Sequence, residues 1–144
     1  MIVAVLDSNV ILSGLLGIRK PNSGLGEIMR RARDGEFELC LSEAILVELD
    51  HVIESKRYLD ARLGQSWREG ARASLVSLAI LVDVPDVIPG VAPHRHDDPI
   101  LATVAVSNAD WFVTGDRELL AMRKYAGVPF TDPIGFLAVL DAVR

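Results

Sequence analysis

Apolar runs and polar breaks alternate along this chain at a spacing that predicts short buried strands separated by helices. Residues 2–6, Ile-Val-Ala-Val-Leu, are apolar throughout, as in a parallel strand covered on both faces. A short helix from Asn9 to about Leu16 follows, with Ser8 or Asn9 as its cap. Pro21-Asn22-Ser23 opens a second helix, with Leu25, Ile28, Met29 and Ala32 at helical spacing and a stop at Asp34-Gly35. Residues 36–41 read as a strand, and Ser42 caps a helix whose apolar face is Ile45, Leu46, Leu49, Val52 and Ile53. Residues 58–80 read as helix with a break near Gly64, then Ile80 to Val84 as a third strand. Pro85 to His96 carries three prolines and reads as a loop. Helix over 97–108, strand over 111–114 and helix over 116–125 follow, with Val128-Pro129-Phe130 as a short edge strand. Asp132-Pro133 launches the last helix. The alternation predicts a three-layer α/β/α sandwich around a mostly parallel sheet.

At 144 residues, half of them hydrophobic, the chain reads as one domain, 1–144, able to bury a full core. A net charge of −5 argues against a protein that coats nucleic acid through charge alone. It leaves room for an enzyme that meets nucleic acid through a local basic rim. The lone Cys40 reads as a small buried hydrophobe, and its isolation excludes an internal disulfide. The N-terminus lacks the features of a signal peptide, and no apolar stretch reaches membrane-spanning length. A cytoplasmic location is expected.

Four acids change the picture. Asp7 and Asp116 fall just past the carboxyl ends of predicted strands. Asp98 opens a helix, and Glu48 lies one to two turns into another, on a face shared with Ile45 and Val52. In open parallel sheets the active crevice forms at strand carboxyl ends, so all four acids can face one crevice. Each also has a plain structural reading. Asp7-Ser8-Asn9 suits a capped turn, Glu48 a solvated helix position, Asp97-Asp98 a cap and first turn, and Asp116 another N-cap. Their coincidence at the right ends of four elements favours a gathered cluster. Gathered carboxylates repel unless a cation joins them. Oxygen-only ligands suit Mg²⁺ or Mn²⁺, the ions of phosphodiester chemistry.

The motifs resemble those of the PIN-domain family of metal-dependent nucleases, over almost the whole chain. Val5-Leu6-Asp7-Ser8-Asn9-Val10 is similar to that family's first motif, and Ser42 to Leu49, with Glu48, to its second. Asp97-Asp98-Pro99-Ile100-Leu101-Ala102-Thr103 is similar to its third. Ala109 to Leu120, with Thr114-Gly115-Asp116, is similar to its fourth and is the most specific. Within the family the chain looks most like the bacterial VapC-like group of toxin components of toxin–antitoxin pairs. The resemblance implies a Mg²⁺- or Mn²⁺-dependent ribonuclease, an antitoxin partner and a frequent homodimer. It departs from the subgroup at His94-Arg95-His96, where an acid-rich run is common. These histidines have three readings: a solvated loop, which is favoured, a contact to substrate phosphate, or a transition-metal pair.

The expected mechanism is metal-assisted hydrolysis of RNA. Asp7, Asp98 and Asp116 hold the ion, and Glu48 orients the attacking water or completes a second ion site. Asn9 and Thr114 steady the carboxylates, and Glu118 is a weaker outer candidate. Asp97 is expected to be a helix cap, and Asp110 to stabilise the turn before its strand. Arg95 and Arg117, with Arg19 and Lys20, are candidate backbone contacts, while Arg30, Arg31 and Arg33 suit a solvated face. The segment from Tyr58 to Ala79, with Trp67, serves either core packing or a dimer or antitoxin surface. Two rivals stay open: a non-catalytic protein-binding module of the same fold, and a structure-specific DNA nuclease. The chain lacks the acid pair and late lysine of a phosphoacceptor receiver, and Gly24-Leu25-Gly26 lacks the strand and third glycine of a dinucleotide loop.

Overall fold

The apolar run after Ile2 becomes β1 (Val3–Leu6), whose last three residues are fully buried. The computed structural model describes residues 1–56, 63–84 and 87–144. After β1 come α1 (Ser8–Gly17), α2 (Gly24–Arg33), β2 (Glu38–Leu41), α3 (Glu43–Ser55), α4 (Gln65–Leu78) and β3 (Ile80–Leu81). A 3₁₀ turn (Arg95–Asp97) leads into α5 (Asp98–Ser107), then β4 (Trp111–Val113), α6 (Arg117–Met122), β5 (Lys124–Tyr125), β6 (Val128–Thr131) and α7 (Pro133–Ala142). The strands form one sheet in the order β3-β2-β1-β4-β6-β5, parallel except for β5. Helices flank this sheet as the alternation predicts. Among the described residues, no helix is long and apolar enough to cross a membrane.

β1 lies at the centre because its side chains are apolar on both faces. It pairs with β2 on one side and β4 on the other, so strand order reverses there. That reversal opens a crevice beyond the carboxyl ends of β1 and β4. The core is sealed by edge-to-face ring pairs, Phe112 with Phe130 at 4.9 Å and Phe37 with Phe136 at 5.0 Å. Cys40 is buried in β2, and burial pushes its thiol up to about 11, as befits an inert hydrophobe.

Three predicted elements end elsewhere. The helix expected over 116–125 stops at Met122, because Arg123 turns left-handed at φ 67°. Ala126 and Gly127 then take φ 51° and 81°, and this pair of positive angles folds a tight hairpin of β5 onto β6. As a result β6 is an inner strand between β4 and β5, where an edge strand was expected. The third strand is two residues long, with Val82 N still donating to Leu41 O at 2.9 Å. Of the helix expected over 58–80, α4 carries the later part. Its start, with Tyr58, and Pro85 of the following loop lie outside the described residues.

The helices α1 and α2 cross at close range through glycine. A Cβ on Gly26 would lie 2.0 Å from the Gly17 carbonyl oxygen, so only glycine fits. This explains Gly26 of the Gly24-Leu25-Gly26 run by packing. Of the α2 arginines expected on a solvated face, Arg30 and Arg31 are instead tied into the fold. Arg30 Nη1 donates to Ile18 O (2.9 Å) and Lys20 O (3.2 Å), closing the end of α1. Arg31 is buried and ion-paired with Glu27, Glu36 and Asp141, which ties α2 to α7; Arg33 stays exposed.

Candidate active site

β1 delivers Asp7 to the crevice. Its backbone N–H donates to Val113 O at 2.9 Å, which fixes it beside the end of β4. With φ −64° and ψ 150°, Asp7 is itself the N-cap of α1, the role expected of Ser8 or Asn9. Its Oδ1 accepts from Ser8 N at 2.7 Å and its Oδ2 from Thr114 Oγ1 at 2.8 Å. Thr114 is fully buried, and its Oγ1 also accepts from Asp116 N at 3.1 Å. One hydroxyl therefore couples Asp7 to the segment that carries Asp116. Burial pushes the Asp7 carboxyl up, the Thr114 and Ser8 hydrogen bonds oppose this, and the charge of Asp116 adds to it.

Asp116 is half-buried and caps α6, accepting from Glu118 N at 2.8 Å and Leu119 N at 3.4 Å. Glu48 is half-buried on α3. Two hydroxyl ties place that helix. Ser8 Oγ donates to Ile45 O at 3.4 Å, and Ser42 Oγ meets Thr103 Oγ1 of α5 at 2.6 Å. The segment bearing Asp7, the helix bearing Glu48 and the middle of α5 are thus linked through buried hydroxyl contacts.

The third acid of the crevice is Asp97, where Asp98 was expected. Asp98 turns onto the preceding loop, its Oδ1 accepting from Ala92 N at 2.8 Å and its Oδ2 from Gly90 N at 2.9 Å. These amides hold its carboxyl below the usual range. Asp97 occupies the N-cap position of α5, yet its side chain makes no capping hydrogen bond. It is buried, and its carboxyl is pushed up to about 6. Burial is the largest cause; His96 works against it, and repulsion from Asp7, Asp116 and Glu48 adds to it. Spacing along α5 does not separate the two aspartates: Asp97 lies three and four residues before the buried Ile100 and Leu101, and Asp98 three and four before the buried Leu101 and Ala102. The Gly90 and Ala92 amides make the difference, by holding Asp98 on the loop.

Among the described residues, no three His, Cys, Asp or Glu side chains are drawn close enough to hold one ion. What the crevice offers is carboxylate oxygen from four separate segments within electrostatic reach of one another. That donor chemistry fits a hard dication, which keeps part of its water shell and needs few protein oxygens.

Around these acids the other candidates divide. Arg95 and Arg117 are exposed beside Asp97 and Asp116 in the chain. Arg19 and Lys20 sit past the far end of α1, and Arg19 lines a separate groove with Leu15, Trp67, Leu75 and Leu78. That groove, between α1, α2 and α4, has a volume of about 790 Å³. Asn9 is exposed in the first turn of α1. Asp110 Oδ2 accepts from Val3 N at 2.8 Å and closes the entrance of β1 against β4. His94 and His96 stack on each other, with centroids 5.6 Å apart. His94 Nε2 lies 2.9 Å from Glu118 Oε2, and His96 Nε2 lies 3.6 Å from Asp97 Oδ1.

Comparison with known proteins agrees with this architecture. A family model described as PIN domain matches residues 3–118. Among solved structures, one chain of VapBC2 from Rickettsia felis, crystallised with a DNA fragment from its promoter, superposes with a TM-score of 0.56. The match covers 91% of this chain and 98% of that one at 14% sequence identity, a likeness of fold. No curated protein matches the chain in sequence.

Proposed function

The chain belongs to the PIN-domain family, and from that premise we propose that it is a Mg²⁺- or Mn²⁺-dependent endoribonuclease, the VapC-like toxin of a toxin–antitoxin pair. The observation that carries this reading is the gathering of Asp7, Asp97, Asp116 and Glu48 from four separate segments, with the buried Asp7 joined through Thr114 to the Asp116 segment and the buried Asp97 in the field of the other three. A fold holds carboxylates in each other's field, at a cost in stability, when a cation is to be bound there. Asp7, Asp97 and Asp116 are the residues to hold the ion, and Glu48 orients the attacking water or completes a second site. When bound, the ion polarises the phosphodiester and makes water a better nucleophile at neutral pH. Thr114 keeps the Asp7 carboxylate aimed, and Asp98 shapes the loop without touching the ion. Arg95 and Arg117 contact the RNA backbone, which few phosphate contacts suffice to hold on an acidic protein.

The likeness to a VapBC2 chain supports an antitoxin as protein partner. The groove between α1, α2 and α4 has the apolar lining an antitoxin segment would bury, and a homodimer in the cytoplasm is the working form. The test is metal titration followed by cleavage of labelled RNA, single-stranded DNA and flap DNA, with Asp7→Asn, Asp97→Asn and Asp116→Asn as controls. RNA cleavage lost in all three variants supports the proposal. Metal binding without cleavage supports a non-catalytic module, and cleavage confined to flap DNA supports the DNA nuclease.

A further inference from the structure

The loop before α5 holds two imidazoles in parallel at the lip of the acidic crevice. Their rings lie 20° apart in tilt, with centroids 5.6 Å apart. Neither is part of the core: the side chains of His94 and His96 are 49% and 65% exposed. Yet both are anchored. His94 Nε2 is fixed at 2.9 Å by Glu118 of α6, and His96 Nε2 lies beside Asp97 Oδ1. The stack therefore spans the two segments that carry Asp97 and Asp116. His94 lies alongside the His96 ring, and most of the His96 side chain remains open to solvent. Aromatic faces held open beside a phosphodiester site are stacking surfaces for bases, since every base has a π-face.

Resting on the ribonuclease reading above, we propose that His96, backed by His94 and Glu118, is a stacking platform for one unpaired nucleobase next to the scissile phosphate. The substrate is then single-stranded or loop RNA. Bases in a duplex have both faces occupied by their neighbours, so they offer nothing to an open ring without first unstacking. Arg95, exposed between the two histidines, is placed to meet the adjoining phosphate. His96 contributes by holding substrate, and it takes no part in the bond-breaking step.

The experiment uses the full chain with two readouts. The first is steady-state cleavage of a labelled hairpin RNA in Mn²⁺. Loss of one stacked base raises KM by about tenfold, within the usual range of base–aromatic stacking. His96→Ala should therefore raise KM by that factor with kcat within about threefold, while His96→Phe and His96→Trp restore KM and His96→Gln does not. The second is binding of single-stranded RNA carrying 2-aminopurine at successive positions, where stacking quenches fluorescence. One position should be quenched by the wild type and His96→Phe but not by His96→Ala. Equal KM in His96→Ala and His96→Phe, or a wild type that quenches no position, overturns the platform. So does a His96→Ala variant whose loss lies in kcat or in Mn²⁺ affinity. Quenching that depends on the ring in a protein that cuts no RNA overturns the nuclease reading and keeps the platform.

Discussion

Two regions of this molecule bury charge, and they do so on opposite terms. On the α1–α2–α7 flank, the guanidinium of Arg31 is buried among Glu27, Glu36 and Asp141, and each of these ion pairs favours its charged form. In the crevice, Asp7 and Asp97 are buried toward acids of their own sign, and both carboxyls are pushed up. The flank uses charge to join two helices. The crevice holds charge that folding alone would avoid, which is the mark of a site kept for a ligand.

The sharpest way to break this comparison is to neutralise one charge in each region. Asp97→Asn should lower RNA cleavage by on the order of a hundredfold or more, as loss of a charge-stabilising group does. The same variant should unfold at a higher temperature than the wild type at pH 7.5 without added metal. A variant that loses activity and stability together would count against a repulsive crevice. In the flank the sign reverses. Arg31→Ala leaves three carboxylates without their shared partner and should cost about 3 kcal/mol in urea unfolding, tempered because those carboxylates reach solvent. Its cleavage per folded molecule should stay at the wild-type level.

The pH dependence sharpens the contrast. A carboxyl raised from 3.8 to about 6 binds its proton more tightly in the folded state than in the unfolded chain. Protonation therefore favours folding, and this group's contribution falls as pH rises from 3.8 to about 6, after which the full cost is present. The stability gained by Asp97→Asn should be on the order of 2 kcal/mol at pH 7.5, allowing for water at the open side of the crevice, and should shrink toward zero near pH 4. Urea unfolding of both proteins at the two pH values measures it. The smallest effect is expected from the neighbouring aspartate. Asp98→Asn should lower the melting temperature slightly, by weakening the Gly90 and Ala92 clamp, and leave metal affinity unchanged in isothermal titration. A loss of metal affinity equal to that of Asp97→Asn would restore Asp98 to the metal site.

The adjacent aspartates mark the limit of what a pattern of residues can say. Both stand at the start of the same helix ahead of Pro99, and either suits a cap or first turn, so residue type cannot separate them. The backbone amides of Gly90 and Ala92 do, because they hold Asp98 on the loop and leave Asp97 to the other acids. Asp7, Glu48 and Asp116 were legible because each stands where an apolar run meets a strand end or an inward helix face. The β5–β6 hairpin was not. Lys124-Tyr125 extends the helical run that begins at Arg117, and the positive φ of Arg123 that ends it has no glycine to announce it; Gly127 alone marks the turn. Arg30 and Arg31 of α2 were misread as solvated for a similar reason: the Ile18 carbonyl and Asp141, which hold them, leave no signature beside them in the sequence, whereas Arg33 is exposed as expected.

Periodicity and punctuation alone determined a parallel α/β sheet with acids at its carboxyl ends, because burial of apolar faces is a local requirement that each segment meets in its own residues. Which acids share a field, which carboxylate is clamped by amides, and where two imidazoles come to lie in parallel were decided only by tertiary packing. Those outcomes depend on distances between segments tens of residues apart, set by contacts such as Thr114 to Asp7 and Ser42 to Thr103.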